Sequence, residues 1–283
     1  MQNLLQSLSE SQFLFNFKVF KIKIIIFQFV DLHKRHLLHF KVDQLNFFFF
    51  KMGNRAGAIP EDDTTSLDNI KFYSGKIKCK PDNETIDNIH KKWFGQYKFL
   101  EVGHGYIQWL FPIREGGMNP QAQPLSKYES ELFKKDSELQ KKFIKSYKLI
   151  LDFYGMKLID EKTGKINRNE NNYKHRYYNL NNSFHNYLRI TRILKSLGLV
   201  GFEHYKKPLI DHFVVEVFQN NELPNTMKSL VKFWIPTLRK ESDLKEIENK
   251  IYFLTGKKID RSYYEKEELN WSNTPIFDSK KEK

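Results

Sequence analysis

Leu139, Phe143, Tyr147, Ile150, Leu151 and Tyr154 recur every three or four residues, and Gly155 follows them. Apolar residues at that spacing share one face of a helix. A glycine just past the last of them can end the helix in a left-handed conformation. A long helix that is apolar on one side needs other elements to cover that side. The rest of the chain is written in the same way. Ile86, Ile89, Trp93 and Tyr97 make a second stripe, preceded by the start signals Pro81 and Asp82-Asn83. Tyr106 to Phe111 reads as a short apolar turn of helix ended by Pro112, and Arg114 to Pro124 as a loop. Ser126-Lys127-Tyr128-Glu129 has the form of a capping box, in which hydroxyl and carboxylate each accept a free backbone N–H. Its helix should run to about Lys135.

Downstream, Asn182 or Ser183 can cap a helix that reaches Gly198, with Leu188, Thr191, Leu194 and Leu197 facing inward. Another runs from near Lys206 to Gln219, with Pro208 tolerable in its first turn. Residues 226–238 and 241–254 give two more, the former kinked or ended by Pro236. Met156 to Asp160 and Lys165-Ile166 flank Lys162-Thr163-Gly164 and read as a small hairpin, followed by a polar loop over 167–172. No repeat with a period of 20–50 residues is present. The expected fold class is mainly α: a single multi-helix globular domain with one small β-hairpin.

The ends differ from this body. Residues 12–51 contain neither Gly nor Pro and are dominated by Phe, Ile, Leu and Lys, as in Ile24-Ile25-Ile26-Phe27 and Phe47-Phe48-Phe49-Phe50. Ordinary composition resumes at Met52, so 1–51 reads as an extension that need not belong to the native protein. A spanning helix needs roughly 18 uninterrupted apolar residues, and Lys18, Lys21 and Lys23 break this run. A Lys-flanked peripheral membrane contact is the competing reading. Were Met52 the start, Gly53 would invite myristoylation, but Gly57 stands where that pattern wants Ser or Thr. Residues 52–66 read as linker, 67–254 as the domain and 255–283 as a charged, loosely held tail.

The formal net charge is +13, of which the first 51 residues carry +4. Such a surface attracts phosphates, nucleic acid and anionic lipid over long range. No nucleic-acid-binding motif accompanies Lys91-Lys92 or Lys141, Lys142, Lys145 and Lys148, which also suit plain solvated helix faces. The single Cys79 excludes an internal disulfide framework and a Cys-rich zinc site.

His104-Gly105-Tyr106-Ile107-Gln108-Trp109-Leu110-Phe111-Pro112, with Glu115 and Asn119-Pro120 after it, resembles the signature of the opioid growth factor receptor family. Two further blocks keep that family's order. One runs from Ser146-Tyr147-Lys148 to Leu151-Asp152-Phe153-Tyr154-Gly155. The other holds Arg176, Asn179-Leu180-Asn181 and the run from His185 through Arg189 and Arg192 to Gly198. The resemblance covers about residues 67–240. It implies a receptor for the pentapeptide Met-enkephalin. It also implies an intracellular place, peripheral on membranes or in the nucleus, without the seven-helix fold of the usual opioid receptors. Vertebrate members carry C-terminal repeats that these 283 residues do not contain.

An enzyme is not expected. The nine His residues form no H-E-x-x-H, no His/Cys set has metal-ligand spacing, and no phosphate-binding Gly-rich loop is present beyond the lone pair Gly116-Gly117. No metal and no cofactor are expected. Candidate ligand-binding residues are His104, Tyr106, Gln108, Trp109, Glu115, His185, Arg189 and Arg192. His104, between two glycines, can wall a pocket or simply order its loop. Trp109 can line an aromatic slot or fill the core. Arg189, Arg192, Lys195 and His185 share a helix face, which can take a carboxylate or phosphate through Arg's planar fork. Equally, it can pair with an acid on a neighbouring helix. Glu115 or Asp152 could take a peptide's amine. A peptide ligand or protein partner leads. A basic nuclear scaffold or nucleic-acid-binding role comes second, and catalysis third.

Overall fold

Residues 66–265 are described by the computed structural model, and within them helices do most of the building. The first four are short: α1 (Asp68–Tyr73), α2 (Ile86–Lys92), α3 (Tyr97–Val102) and α4 (Tyr106–Leu110). Next come α5 (Lys127–Lys135) and the long α6 (Ser137–Phe153), then β1 (Met156–Asp160) and β2 (Lys165–Arg168). After the hairpin come α7 (Tyr173–Asn182), α8 (His185–Leu199) and α9 (Glu203–Val214). A one-turn α10 (Met227–Ser229), α11 (Glu241–Thr255) and α12 (Ser262–Glu265) complete the described chain. Among the described residues the fold is mainly α with one antiparallel two-stranded sheet. The hypotheses about residues 1–51 lie outside the described residues, as do most of the linker and the tail beyond 265.

The stripe on α6 is its core face. Leu139, Phe143, Tyr147, Ile150, Leu151 and Tyr154 are all buried, and Gly155 takes φ +79°. Aromatic rings fill the space around it. Phe143 stacks on Phe202 with centroids 5.4 Å apart, and Tyr73 meets Phe133 edge-on at 4.9 Å. Offset and edge-to-face pairs of this kind add to the burial of their area. The capping box is complete. Ser126 Oγ accepts from the Glu129 N–H, and Glu129 accepts from the Ser126 N–H, each at 3.0 Å. Glu129 also takes the backbone and side-chain N–H groups of Asn69 at 3.0 Å, so one cap ties α5 to α1.

Several expectations need correction. The stripe 86–97 is two helices, because Gly95 at φ +75° turns the chain between them. Asn167 and Arg168 belong to β2 rather than to a loop. Tyr173–Asn182 is helical although its Asn-rich sequence has little amphipathic character; Arg176, Tyr177 and Leu180 anchor it inside. Neither Asn182 nor Ser183 caps α8, which begins after Phe184 with no side-chain cap. Leu188 is exposed and Thr191 only half-buried; the buried face of α8 runs instead through Asn186, Arg189, Ile190, Ile193, Leu194 and Leu197. α9 starts at Glu203, so Pro208 sits beyond its first turn, and Val215–Gln219 continues it as a π-helical turn. The stretch 226–238 is a composite of 3-10, α and π turns that Pro236 brings to an end. Past Gly256, Arg261 pairs with Glu241 at 2.9 Å and with Glu248 at 2.7 Å, so this start of the tail is held.

Candidate functional site

Every candidate residue lies in the stretch from α3 to the loop after α4, or on the α8 face that covers it. They form three groups. In the first, the Arg189 guanidinium gathers the C-terminal end of α3. It donates to the carbonyls of Leu100 (2.9 Å), Glu101 (3.3 Å) and Gly103, and faces His104 Nδ1 at 2.9 Å. The last carbonyls of a helix have no partners within it, and a cation there also meets the negative end of its dipole. Arg189 therefore holds the loop that carries His104. An N–H donor facing Nδ1 requires that nitrogen to be the unprotonated one. Tyr106 is fully buried, donates its hydroxyl to Leu100 O at 2.9 Å, and lies with its ring 5.6 Å from the Arg189 carbon. His185 meets His104 edge-on with ring centroids 5.5 Å apart. Gly105 lets this loop approach the preceding one, since a Cβ there would lie 2.6 Å from Pro81 Cδ.

The acid that organises this group is Glu101, which sequence reasoning passed over. His185 Nε2 lies 2.8 Å from Glu101 Oε1, Asn179 donates at 2.7 Å, and Asn186 at 3.3 Å. Arg176 stands 4.0 Å away. Burial alone would raise the Glu101 carboxyl; the bonds from His185 and Asn179 outweigh it and hold the group at about 2. The density of Asn, His and Arg over 176–189 was a signal that an acid must face this segment. Nothing in sequence says which.

The second group is built on the Lys80 carbonyl, which accepts from Trp109 Nε1 (3.0 Å) and from Asn119 Nδ2 (2.6 Å). Gln108 Oε1 accepts from the Asn119 N–H at 2.7 Å. Trp109 is 2% exposed and packs on Phe72 at 5.3 Å, so its own core fills the space around it. In the third group, Arg192 Nε donates to Phe111 O at 2.7 Å and Lys195 pairs with Glu115 at 2.6 Å. Asp152 accepts from Tyr97, Asn169 and Asn172 at 2.8–3.0 Å. Of the eight candidates, His104 is exposed, and Glu115, His185 and Arg192 are half-buried.

Arg189→Lys keeps the charge but loses the fork. It is expected to cost about 1–2 kcal/mol of stability, the scale of one or two lost buried hydrogen bonds. Urea unfolding checks this. An unchanged midpoint together with weakened peptide binding would assign Arg189 to a ligand instead.

A concave surface lies elsewhere, an open trough of about 610 Å³ between β2 and α9. Lys165, Ile166, Asn167 and Arg168 form one wall; Lys207, Pro208, Asp211, His212 and Val215 form the other. Arg168 clamps Glu216 with two donors, Nε at 2.7 Å and Nη2, and lies 4.8 Å from the Tyr173 ring centre. Burial raises the Glu216 carboxyl, but the Arg168 bonds overcome this and lower it. Tyr177 shares a 2.7 Å hydrogen bond with His212, whose imidazole burial pushes down to about 4. His212 is thus neutral at physiological pH. The partners come from α7, β2 and α9 and are far apart in the chain, so no local pattern announces them. Among the described residues, no group of three or more His, Cys, Asp or Glu is placed to hold a metal ion, and no helix is long and apolar enough to cross a membrane.

Comparison with known proteins gives one answer. Residues 62–273 match the family model described as the opioid growth factor receptor (OGFr) conserved region. Opioid growth factor receptor-like protein 1 of Xenopus tropicalis is 48% identical over 173 residues, covering 61% of this chain and 33% of that protein. Its Mus musculus counterpart is 45% identical over 181 residues, covering 64% of this chain and 39% of its own. The opioid growth factor receptor of Homo sapiens is 41% identical over 186 residues, covering 66% of this chain and 27% of its own. The matched region thus spans well under half of each relative. No solved structure matches. The three sequence blocks, the mainly helical fold they build and a family match over most of the chain agree: this chain belongs to the opioid growth factor receptor family.

Proposed function

We propose that this chain is a peptide-binding, receptor-type module for a short peptide of the Met-enkephalin kind, and not an enzyme. The observation that carries the reading is the trough between β2 and α9. At about 610 Å³ it falls within the roughly 300–1,000 Å³ of small-ligand sites, and it is walled by charged, hydroxyl and amide groups with Ile166, Pro208 and Val215 between them. The Homo sapiens relative is named an opioid growth factor receptor and the Mus musculus one an opioid growth factor receptor-like protein. In this reading Arg189, Trp109 and Gln108 hold the scaffold, while His104 and His185 offer a secondary contact at the surface.

Calorimetric titration of Met-enkephalin into the full chain tests it. One saturable site per chain with weak dependence on salt is expected. The net charge of +13 favours a second reading, a basic nucleic-acid-binding scaffold. No peptide binding, with duplex DNA binding whose affinity falls steeply as salt rises, would replace the first reading with the second.

A further inference from the structure

The trough has a direction, and its edges have unused chemistry. Asn169 donates its N–H to Gly155 O at 2.9 Å, and β1 and β2 pair Met156 with Arg168, Lys157 with Asn167 and Leu158 with Ile166. Bonded and non-bonded pairs alternate along an antiparallel ladder. The Gly155–Asn169 bond therefore makes Lys157–Asn167 the next bonded pair. Ile166 then turns both its N–H and its C=O away from β1, and Arg168 turns its C=O the same way. The Arg168 N–H is taken by Asn167 Oδ1 at 2.9 Å. The sheet has two strands, so no further strand of the described residues covers this outer edge. An edge of this kind is a template for another strand.

The opposite wall fits a strand laid there. Lys207, Asp211 and Val215 recur every four residues along one face of α9 and the turn that continues it. From Lys207 to Glu216 the helix rises about 13.5 Å at 1.5 Å per residue. An extended chain advances about 3.3 Å per residue, so four to five residues span that length.

The ends of the trough differ in charge. The turn between the strands sits over α9, since a Cβ on Gly164 would lie 2.6 Å from the Tyr205 ring. That end carries Lys165 and Lys207. Lys207 is paired with Glu246 at 2.6 Å, but the Glu246 side chain is 67% exposed, and an exposed pair of this kind exchanges partners at little cost. At the other end one cation, Arg168, stands between Glu216 and Glu222, the latter 4.0 Å away. One guanidinium against two carboxylates leaves that end negative.

Resting on the peptide-binding reading above, we infer that the trough takes a short peptide with both termini free, extended and paired as a third strand along the outer edge of β2. The peptide's amine lies at the Glu216/Glu222 end and its carboxylate at the Lys165/Lys207 end. β2 runs from the lysine end to the Glu216 end, so a peptide of that polarity runs antiparallel to it. Main-chain bonds to Ile166 and Arg168 supply affinity, and the charged ends set length and direction.

Amide exchange by NMR on the full chain, with and without saturating Met-enkephalin, tests the pairing. The Ile166 amide is expected to slow on binding by tenfold or more, the scale of one added hydrogen bond to an N–H that β1 leaves unpaired. The Asn167 amide, already bonded to β1, should change little. Binding of the free-acid and C-terminally amidated peptides to wild type and to a Lys165→Gln, Lys207→Gln double variant tests the polarity. Both lysines sit on the surface of the trough wall, so the variant should fold. Amidation should weaken binding to wild type by roughly tenfold, the worth of a charge-assisted bond, and should have little effect on the variant. If the peptide binds but Ile166 stays unprotected and amidation weakens both proteins equally, the strand inference is overturned and the receptor reading stands. If no peptide binds, the receptor reading falls and takes this inference with it.

Discussion

Trp109→Ala removes about 3–5 kcal/mol of folding stability, the range for truncating a buried aromatic side chain. Three contacts support the figure. Trp109 is 2% exposed, its ring packs on Phe72, and its Nε1–H fills the Lys80 carbonyl. The alanine variant leaves a cavity beside Phe72 and strips one donor from a carbonyl that Asn119 also uses. Trp109→Phe separates these effects. It retains most of the ring packing and gives up the hydrogen bond, so a smaller loss of about 1–2 kcal/mol is expected. Urea unfolding, with the slope checked for constancy, measures both. A stable Trp109→Ala protein that had lost peptide affinity would move Trp109 from core to pocket.

Most helices were legible in the sequence because burial and periodicity coincide in them. α6 is the clearest case: each apolar residue of its stripe is buried, and a 3.6-residue repeat is what one covered face demands. The capping box at Ser126 was legible because its chemistry is local. α7 was not, since Tyr173–Asn182 is held by tertiary contacts of Arg176, Tyr177 and Leu180 rather than by helix propensity. The inward face of α8 was misjudged for a related reason. Arg189 and Asn186 occupy buried positions where apolar residues are the ordinary expectation, and they do so because α3 presents unpaired carbonyls and Glu101 there. Sequence singled out Arg189 and His185 as a polar concentration, but the partner that gives the cluster its sense lies 84 residues before His185 on another helix. The trough was invisible for the same cause. Arg168 and Glu216 are 48 positions apart, and their meeting depends on how the hairpin packs on α9.

Glu101 carries the second large expected effect. Its carboxyl is held at about 2 against an ordinary 4.5, because His185, Asn179 and Asn186 stabilise the ionised form more than burial opposes it. The folded-state value lies below the unfolded one, so the folded protein binds this proton less readily. The resulting stability is complete above about pH 5 and is lost as pH falls from there toward 2; the shift corresponds to on the order of 3 kcal/mol, less what solvent screening removes from a partly exposed group. Glu115 and Glu216 are lowered in the same direction, so acid destabilisation of the whole chain does not isolate Glu101. Glu101→Gln does. At pH 7 the variant should be less stable than wild type by on the order of 2–3 kcal/mol, since the amide cannot take up the charge that His185 and Arg176 face. At pH 2.5 the folded carboxyl, held at about 2, is still partly ionised while the unfolded one is protonated, so the gap should shrink to about 1 kcal/mol. Urea unfolding at pH 7, 4 and 2.5 gives the three differences. A gap that stayed constant across that range would mean that packing or the Asn179 bond, rather than ionisation of Glu101, accounts for the loss.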